Sequence, residues 1–206
     1  MLTRRTVLTS GLALGTFAVF GSRIALGQQM TREEIFNDKD APVLGNPGGD
    51  VTVVEYFDYQ CPYCKKAHPT VKRVIARDGN VRLVMKDWPI FGDASIFAAQ
   101  AVLGAAQIGQ YDVALEALMK TKGKLTREDV EHTLTRAGLS MTAISEAVNK
   151  HTAKISGLLD RNYNQATGFN FAGTPAYVVG SSLYPGVLDE KGLMEAIAQA
   201  RKTRKG

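Results

Sequence analysis

Apolar positions recur along the chain with two different periods. Residues 51–57 (VTVVEYF) are β-rich and almost wholly apolar, as in a central strand covered on both faces. Residues 62–77 follow helical spacing through Ala67, Val71, Val74 and Ile75, and Asp78-Gly79-Asn80 is the stop signal. Pro69 inside that stretch removes a backbone hydrogen bond and predicts a kink. Residues 81–85 form a second core strand, so this part predicts a right-handed βαβ unit with parallel strands. From residue 93 to about 166 the pattern is helical almost throughout. It covers 94–108, 111–121, a third helix from the capping-box-like Thr126-Arg127-Glu128-Asp129 to near Gly138, and a fourth from Ser140 or Thr142 to about His151. Whether the stretch after His151 is a separate helix or a continuation stays open. β character returns at 176–179 and 182–184, joined at Gly180-Ser181 as an antiparallel hairpin. A last helix over 188–201 turns Leu193, Ile197 and Ala200 inward. The pattern predicts an α/β fold with 51–93 and 167–206 as a small sheet domain and 94–166 as an inserted helical domain. Residues 28–50 read as a lead-in ending in a tight turn.

The first 27 residues stand apart. Arg4 and Arg5 precede an apolar stretch over 7–20, and Ala25-Leu26-Gly27 has small residues at the spacing of a signal-peptidase site. The stretch is short for a bilayer span, which needs about 20 residues. This predicts an exported, periplasmic protein cleaved after Gly27; an uncleaved anchor is the alternative. Thr3-Arg4-Arg5-Thr6-Val7-Leu8 resembles a twin-arginine export signal, with general secretion as the other route.

Export changes the charge picture. The full chain is formally +5, but residues 1–27 hold three arginines and no acids, leaving 22 basic and 20 acidic residues. Four of those basics, Arg201, Lys202, Arg204 and Lys205, fall in the last six residues, which reads as a solvated, frayed helix end. The body is then net −2, which does not support nucleic-acid binding.

The two cysteines of the chain, Cys61 and Cys64, lie between the first strand and its helix. At a helix N-terminus, unpaired N–H groups and the macrodipole favour the thiolate, the nucleophile of disulfide exchange. Pro62 suits the first helical turn, and Cys64 follows one turn further in, within reach of a disulfide yet more buried. A purely structural disulfide closing so short a loop would contribute only about 2 kcal/mol. A zinc site lacks a second cysteine pair, and haem attachment would require His where Lys65 stands. A redox-active dithiol is the reading these residues favour, and an oxidising compartment suits it. Glu55 is the exception within the first strand: a carboxyl there is costly unless paired or protonated.

Strand, Cys61-Pro62-Tyr63-Cys64 helix, strand, helical insertion, Gly173-Thr174-Pro175, hairpin and last helix is an order that resembles the DsbA-like branch of the thioredoxin superfamily, over about residues 43–203. The resemblance implies a thioredoxin-like fold and a thiol:disulfide oxidoreductase. It implies that Pro175 is cis beside the disulfide, that the Thr174 backbone pairs with extended substrate chains, and that Glu55 is a buried acid exchanging a proton with Cys64. A hydrogen-bonded structural acid is the plainer reading of Glu55. Lys86 is either a positive partner of Glu55 or a solvated strand-end lysine. Pro62 and Tyr63 tune the potential, with Tyr63 facing substrate. Phe57-Asp58, Pro-Tyr and the Thr before the proline look closest to the ScsC type. A short lead-in points to a monomer. The resemblance further implies reduced exported proteins as substrates, a membrane partner that recycles the dithiol, and no cofactor.

An oxidase is the direction favoured, with a reductase or isomerase as the alternative. Another class is a copper-binding protein holding Cu(I) through Cys61 and Cys64, with His68 as an optional third ligand, thiolates being soft ligands. A third is a peptide-capturing module acting through Thr174 and Pro175 alone. His68, one turn past Cys64, otherwise reads as a partly exposed helix-face residue, and His132 and His151 carry no assignment.

Overall fold

A computed structural model describes residues 30–204. The export segment, its cleavage after Gly27 and Lys205 lie outside the described residues. The elements in order are α1 (Arg32–Phe36), β1 (Val43–Gly45), β2 (Val51–Phe57), α2 (Pro62–Asp78), β3 (Val81–Asp87), α3 (Asp93–Gln107), α4 (Tyr111–Met119), α5 (Arg127–Arg136), α6 (Met141–Lys150), α7 (Thr152–Gly168), β4 (Ala176–Val179), β5 (Ser182–Pro185) and α8 (Glu190–Thr203). One five-stranded sheet runs in the order β1-β3-β2-β4-β5. β2 and β3 are parallel from Val51↔Val81 to Phe57↔Asp87, and every other pairing is antiparallel. β2 is thus central, as its unbroken apolar run requires.

Alternation along β2 and β3 sends side chains to two cores. Val53, Phe57, Leu83 and Met85 pack with Val71, Val74 and Ile75 of α2 and Leu193 and Ile197 of α8. That core continues into the helices from α3 onward through Val102, Leu115, Leu134 and Ile144. Val54, Tyr56 and Val84 face the other way, against Ile35 and Phe36 of α1 and Ile155 and Leu158 of α7. Helices on both faces explain why these strands carry so few polar positions.

Residues 30–50 are more than a lead-in. Thr31 and Glu34 form a capping box on α1, and β1 adds an antiparallel edge strand to β3. Three residues among turn formers show no period, so β1 is invisible to patterning. Gly45 has φ +70°, and a Cβ there would lie 2.6 Å from the Val81 carbonyl oxygen, so the turn needs glycine. Elsewhere α2 continues through Pro69 as one helix, Ser140 caps α6, and α7 is a separate helix after His151.

Two charges sit differently from their sequence expectations. Lys86 is neither solvated nor beside Glu55. It pairs in register with Tyr56, so alternation places it on the opposite sheet face from Glu55, fully buried. There its Nζ lies 3.3 Å from Asp38 Oδ2 and donates to the Glu34 carbonyl at 3.1 Å. Arg161 of α7 grips the same Asp38 through Nε at 2.8 Å and Nη2 at 2.9 Å. Burial drives Lys86 down to about 8 despite Asp38. For Asp38, burial pushes upward, but Arg161 and Lys86 outweigh it and hold the carboxyl below its usual range. The basic C-terminal end is not frayed either. Arg201 holds Asp50 at 2.7 Å and Asp78 at 2.8 Å, and Arg204 donates to the Asp50 carbonyl.

Removing one partner of a buried pair leaves the other uncompensated, at a cost of about 3–5 kcal/mol, whereas an apolar replacement of similar volume is often neutral. Asp38→Ala is therefore expected to lower the unfolding free energy from urea titration by about 3–5 kcal/mol, and Lys86→Met far less. Equal losses in the two variants would show that Asp38 does not act as the counter-ion of Lys86.

Candidate active site

The site forms where β2 runs out into α2. Cys61 is the N-cap of α2, with extended φ and ψ, and its Sγ accepts the Cys64 backbone N–H at 3.3 Å. Pro62 occupies the first helical position, where its missing donor costs nothing. Both cysteines are free thiols, so this is the reduced state. Cys61 is 1% exposed and Cys64 0%, so Cys61 too is more enclosed than a strand-to-helix mouth implies. The Thr174–Pro175 peptide is cis, and the Cys61 thiol donates to the Thr174 carbonyl at 3.1 Å. Residues 113 positions apart in sequence thus meet at one sulfur.

The two thiols titrate in opposite directions. Cys61 is lowered to about 6, chiefly by the hydrogen bond from the Cys64 thiol. Burial opposes this, while the Thr174 hydroxyl and the backbone N–H groups of Cys64 and Tyr63 assist. The Thr174 hydroxyl oxygen is buried with no other partner, so it is free to serve a thiolate. Cys64 is pushed far above the ordinary thiol range by burial, then by its bond to Cys61, with the Glu55 charge adding. At neutral pH Cys61 has given up the proton that its thiol form donates to the Thr174 carbonyl, and Cys64 holds its own.

Glu55 is buried on the sheet face shared with Phe57 and the cysteines. Tyr177 donates to its Oε1 at a long 3.3 Å, and Oε2 has no partner. Burial raises the carboxyl to about 7 against the lowering effect of the Tyr177 bond. His68 does not join this group. It is buried, not partly exposed, with Nε2 2.7 Å from Glu116 Oε1 of α4, to which Lys72 also donates at 2.6 Å. The Cys61, Cys64 and His68 set expected of a copper site is therefore not assembled; among the described residues no three His, Cys, Asp or Glu come together as metal ligands.

Patterning missed three groups. Asp58, 1% exposed, accepts from Gln60 N and Ser95 Oγ on one oxygen, both at 2.7 Å, and from Ile90 N at 2.7 Å and Phe91 N at 3.2 Å on the other. Gln60 accepts from Leu125 N at 2.8 Å and donates to Phe91 O and Ser95 Oγ. The third is Asp87, buried with neither carboxylate oxygen bonded and raised to about 7 by burial. Apart from Gln60, the partners of Asp58 lie 32 to 37 residues away, beyond any local signal. Asp87 was legible only as a polar residue ending a core strand. Tyr63, Ile90 and Phe91 stand exposed around this framework.

Alkylation of Cys61 should follow its thiolate, with a midpoint near pH 6. Cys64→Ala and Thr174→Val should each move it toward the ordinary thiol range; an unmoved midpoint in both would assign the depression elsewhere. Because Glu55 is raised from 4.5 to about 7, the folded state binds the extra proton between those values. Its stabilising contribution is complete below 4.5 and is lost as pH rises through 7. Glu55→Gln should therefore flatten the fall in unfolding free energy between pH 5 and 8 by a few kcal/mol, leaving a smaller slope from Asp87. A slope equal to wild type would mean that Glu55 is not buried as a neutral acid.

The family model described as DSBA-like thioredoxin domain matches residues 52–198. A thioredoxin-like oxidoreductase from Silicibacter pomeroyi superposes with a TM-score of 0.80 at 40% identity, over 84% of this chain and 99% of that one. The catalytic domain of Proteus mirabilis ScsC superposes at 0.69 with 24% identity, over 82% of this chain and 94% of that one, a likeness of fold. Among curated proteins, the Na(+)/H(+) antiporter NhaA 3 of Salinispora tropica is 26% identical over 171 residues, 82% of this chain but 25% of its own length. The chain thus spans about a quarter of that relative. With the fold, the paired cysteines and the Thr174–Pro175 segment in place, the chain belongs to the DsbA-like family of the thioredoxin superfamily.

Proposed function

We propose that the protein is an exported thiol:disulfide oxidoreductase that forms disulfides in reduced proteins through Cys61 and Cys64. The observation that carries this reading is the division between the two thiols: one ionised at neutral pH, the other holding its proton. In the oxidised form, a substrate thiolate attacks Cys61 Sγ and breaks the Cys61–Cys64 bond. Cys64 leaves as a thiolate and takes a proton, for which Glu55 is the nearby acid. The second substrate thiol loses its proton and attacks the substrate sulfur of the mixed disulfide, expelling Cys61 as thiolate. Two substrate thiols become a disulfide, and the enzyme keeps the two electrons as a Cys61 thiolate and a Cys64 thiol.

Lowering Cys61 from 9.0 to about 6 stabilises the reduced form at pH 7 by on the order of 1.4 kcal/mol, about 30 mV toward oxidant. That favours donation of the disulfide over reduction of substrates. Thr174 and Pro175 would hold an extended substrate strand beside Cys61, while Pro62 and Tyr63 set the potential and the contact surface. We divide the chain into a thioredoxin-like domain, residues 51–93 and 167–206 with β1 added at the sheet edge, and an inserted helical domain over 94–166. The N-terminal segment supports a periplasmic location, where a membrane partner would reoxidise the dithiol of a monomeric enzyme. Among the described residues no helix is long and apolar enough to cross a membrane.

The test is equilibrium of the Cys61/Cys64 pair against graded glutathione buffers, together with oxidation of a reduced protein substrate. The expected potential is about −120 to −150 mV, with oxidation abolished in Cys61→Ser. A value near about −250 mV would instead make the protein a reductase or isomerase.

A further inference from the structure

The connection between α4 and α5 reads Lys120-Thr121-Lys122-Gly123-Lys124-Leu125-Thr126, and two hydrogen bonds tie it to the cysteine motif. Lys65, beside Cys64, donates from Nζ to the Gly123 carbonyl at 3.4 Å. Gln60, beside Cys61, accepts from Leu125 N at 2.8 Å. Lys124 lies between these anchors, with Lys122 next to the first. Lys66, Lys122, Lys124 and Arg127 are exposed, and Arg127 stacks over Phe97 at 3.8 Å. Lys65 lies close enough to the thiols for the charges of Cys61 and Cys64 to act on it.

Residues 59–71 and 117–127 hold six lysines and arginines and no acid. The carboxylates at their margins keep their charge: buried Asp58 acts on Lys65, and Asp129 forms the reciprocal half of the Thr126 cap. Glu116 already serves His68 and Lys72, leaving Lys120 at 3.9 Å. The exposed acids of the neighbouring helix starts are Asp93 on α3, Asp112 on α4, and Glu128 and Asp129 on α5. A body with a formal acidic excess thus concentrates positive charge on one side of its reactive sulfur. Such a local field raises the encounter rate of oppositely charged reactants and is screened by salt.

We infer that this lysine-bearing loop is a docking rim for acidic polypeptide, selecting cysteines flanked by aspartate and glutamate. The inference rests on the disulfide-exchange reading for its reaction, but the field at Cys61 can be read without it. In one arm, the reduced protein reacts with a dicarboxylate aromatic disulfide and with cystamine, the wild type being compared with Lys122→Glu/Lys124→Glu. The reversal should lower the ratio of anionic to cationic rate about tenfold at low salt, shrinking to about twofold near 0.3 M. In the other, the oxidised protein acts on dithiol peptides that differ only in Asp/Glu, Asn/Gln or Lys flanks. The expected order is acidic, neutral, basic; the double reversal should invert it, and Lys150→Glu on α6 should leave it unaltered. An order absent from the wild type, or one that survives the reversal, overturns the rim. Charge-ordered small-disulfide rates with no peptide oxidised would keep the field at Cys61 and overturn the oxidase instead.

Discussion

The site depends on one contact, Cys64 against Cys61 Sγ, made first by its thiol and also by its backbone N–H. It exists because Cys61 caps α2 and the helix begins immediately after it, so a donor with no intrahelical partner meets a sulfur able to ionise. The same turn carries Cys64 under the surface, where low dielectric suppresses its ionisation. Proximity alone would give two similar thiols. The cap and the burial together make a donor and an acceptor of one proton.

The sheet supplies the other half. β2 and β3 send alternate residues to opposite faces, and the register sorts the charged groups by that parity. Glu55 and Asp87 fall on the face that carries the cysteines, where both are buried and hold their protons loosely near neutrality. Lys86 falls on the other face, locked against Asp38 with Arg161 behind it. A shift of one residue in register would exchange these sets. The scaffold thereby keeps the Lys86–Asp38–Arg161 ion pairs on the opposite face from the cysteines.

Much of this was legible in the chain. The parallel pair, the helical block and the closing hairpin each followed from a local period, and Cys61, Cys64 and Glu55 were visible as chemistry placed at a strand end. What stayed hidden depended on distant partners. His68 reads as a surface residue until α4 brings Glu116 over it. Arg201 reads as part of a loose basic tail until Asp50 and Asp78 meet it. Lys86 differs by a single step of parity, for its face depends on which residue of β3 aligns with Tyr56. Periodicity reports which side of an element is buried, not what lies across from it.

Asp58 has a further consequence. A single carboxylate gathers donors from the Cys61 approach, from the segment after β3 and from the first turn of α3, while Gln60 extends the set to the loop before α5. These pieces are therefore one chassis rather than four flexible loops. The exposed side chains around it, Tyr63, Ile90, Phe91, Lys122 and Lys124, share none of its hydrogen bonds. An outward side chain can therefore change without touching the bonds that hold the sulfur in place.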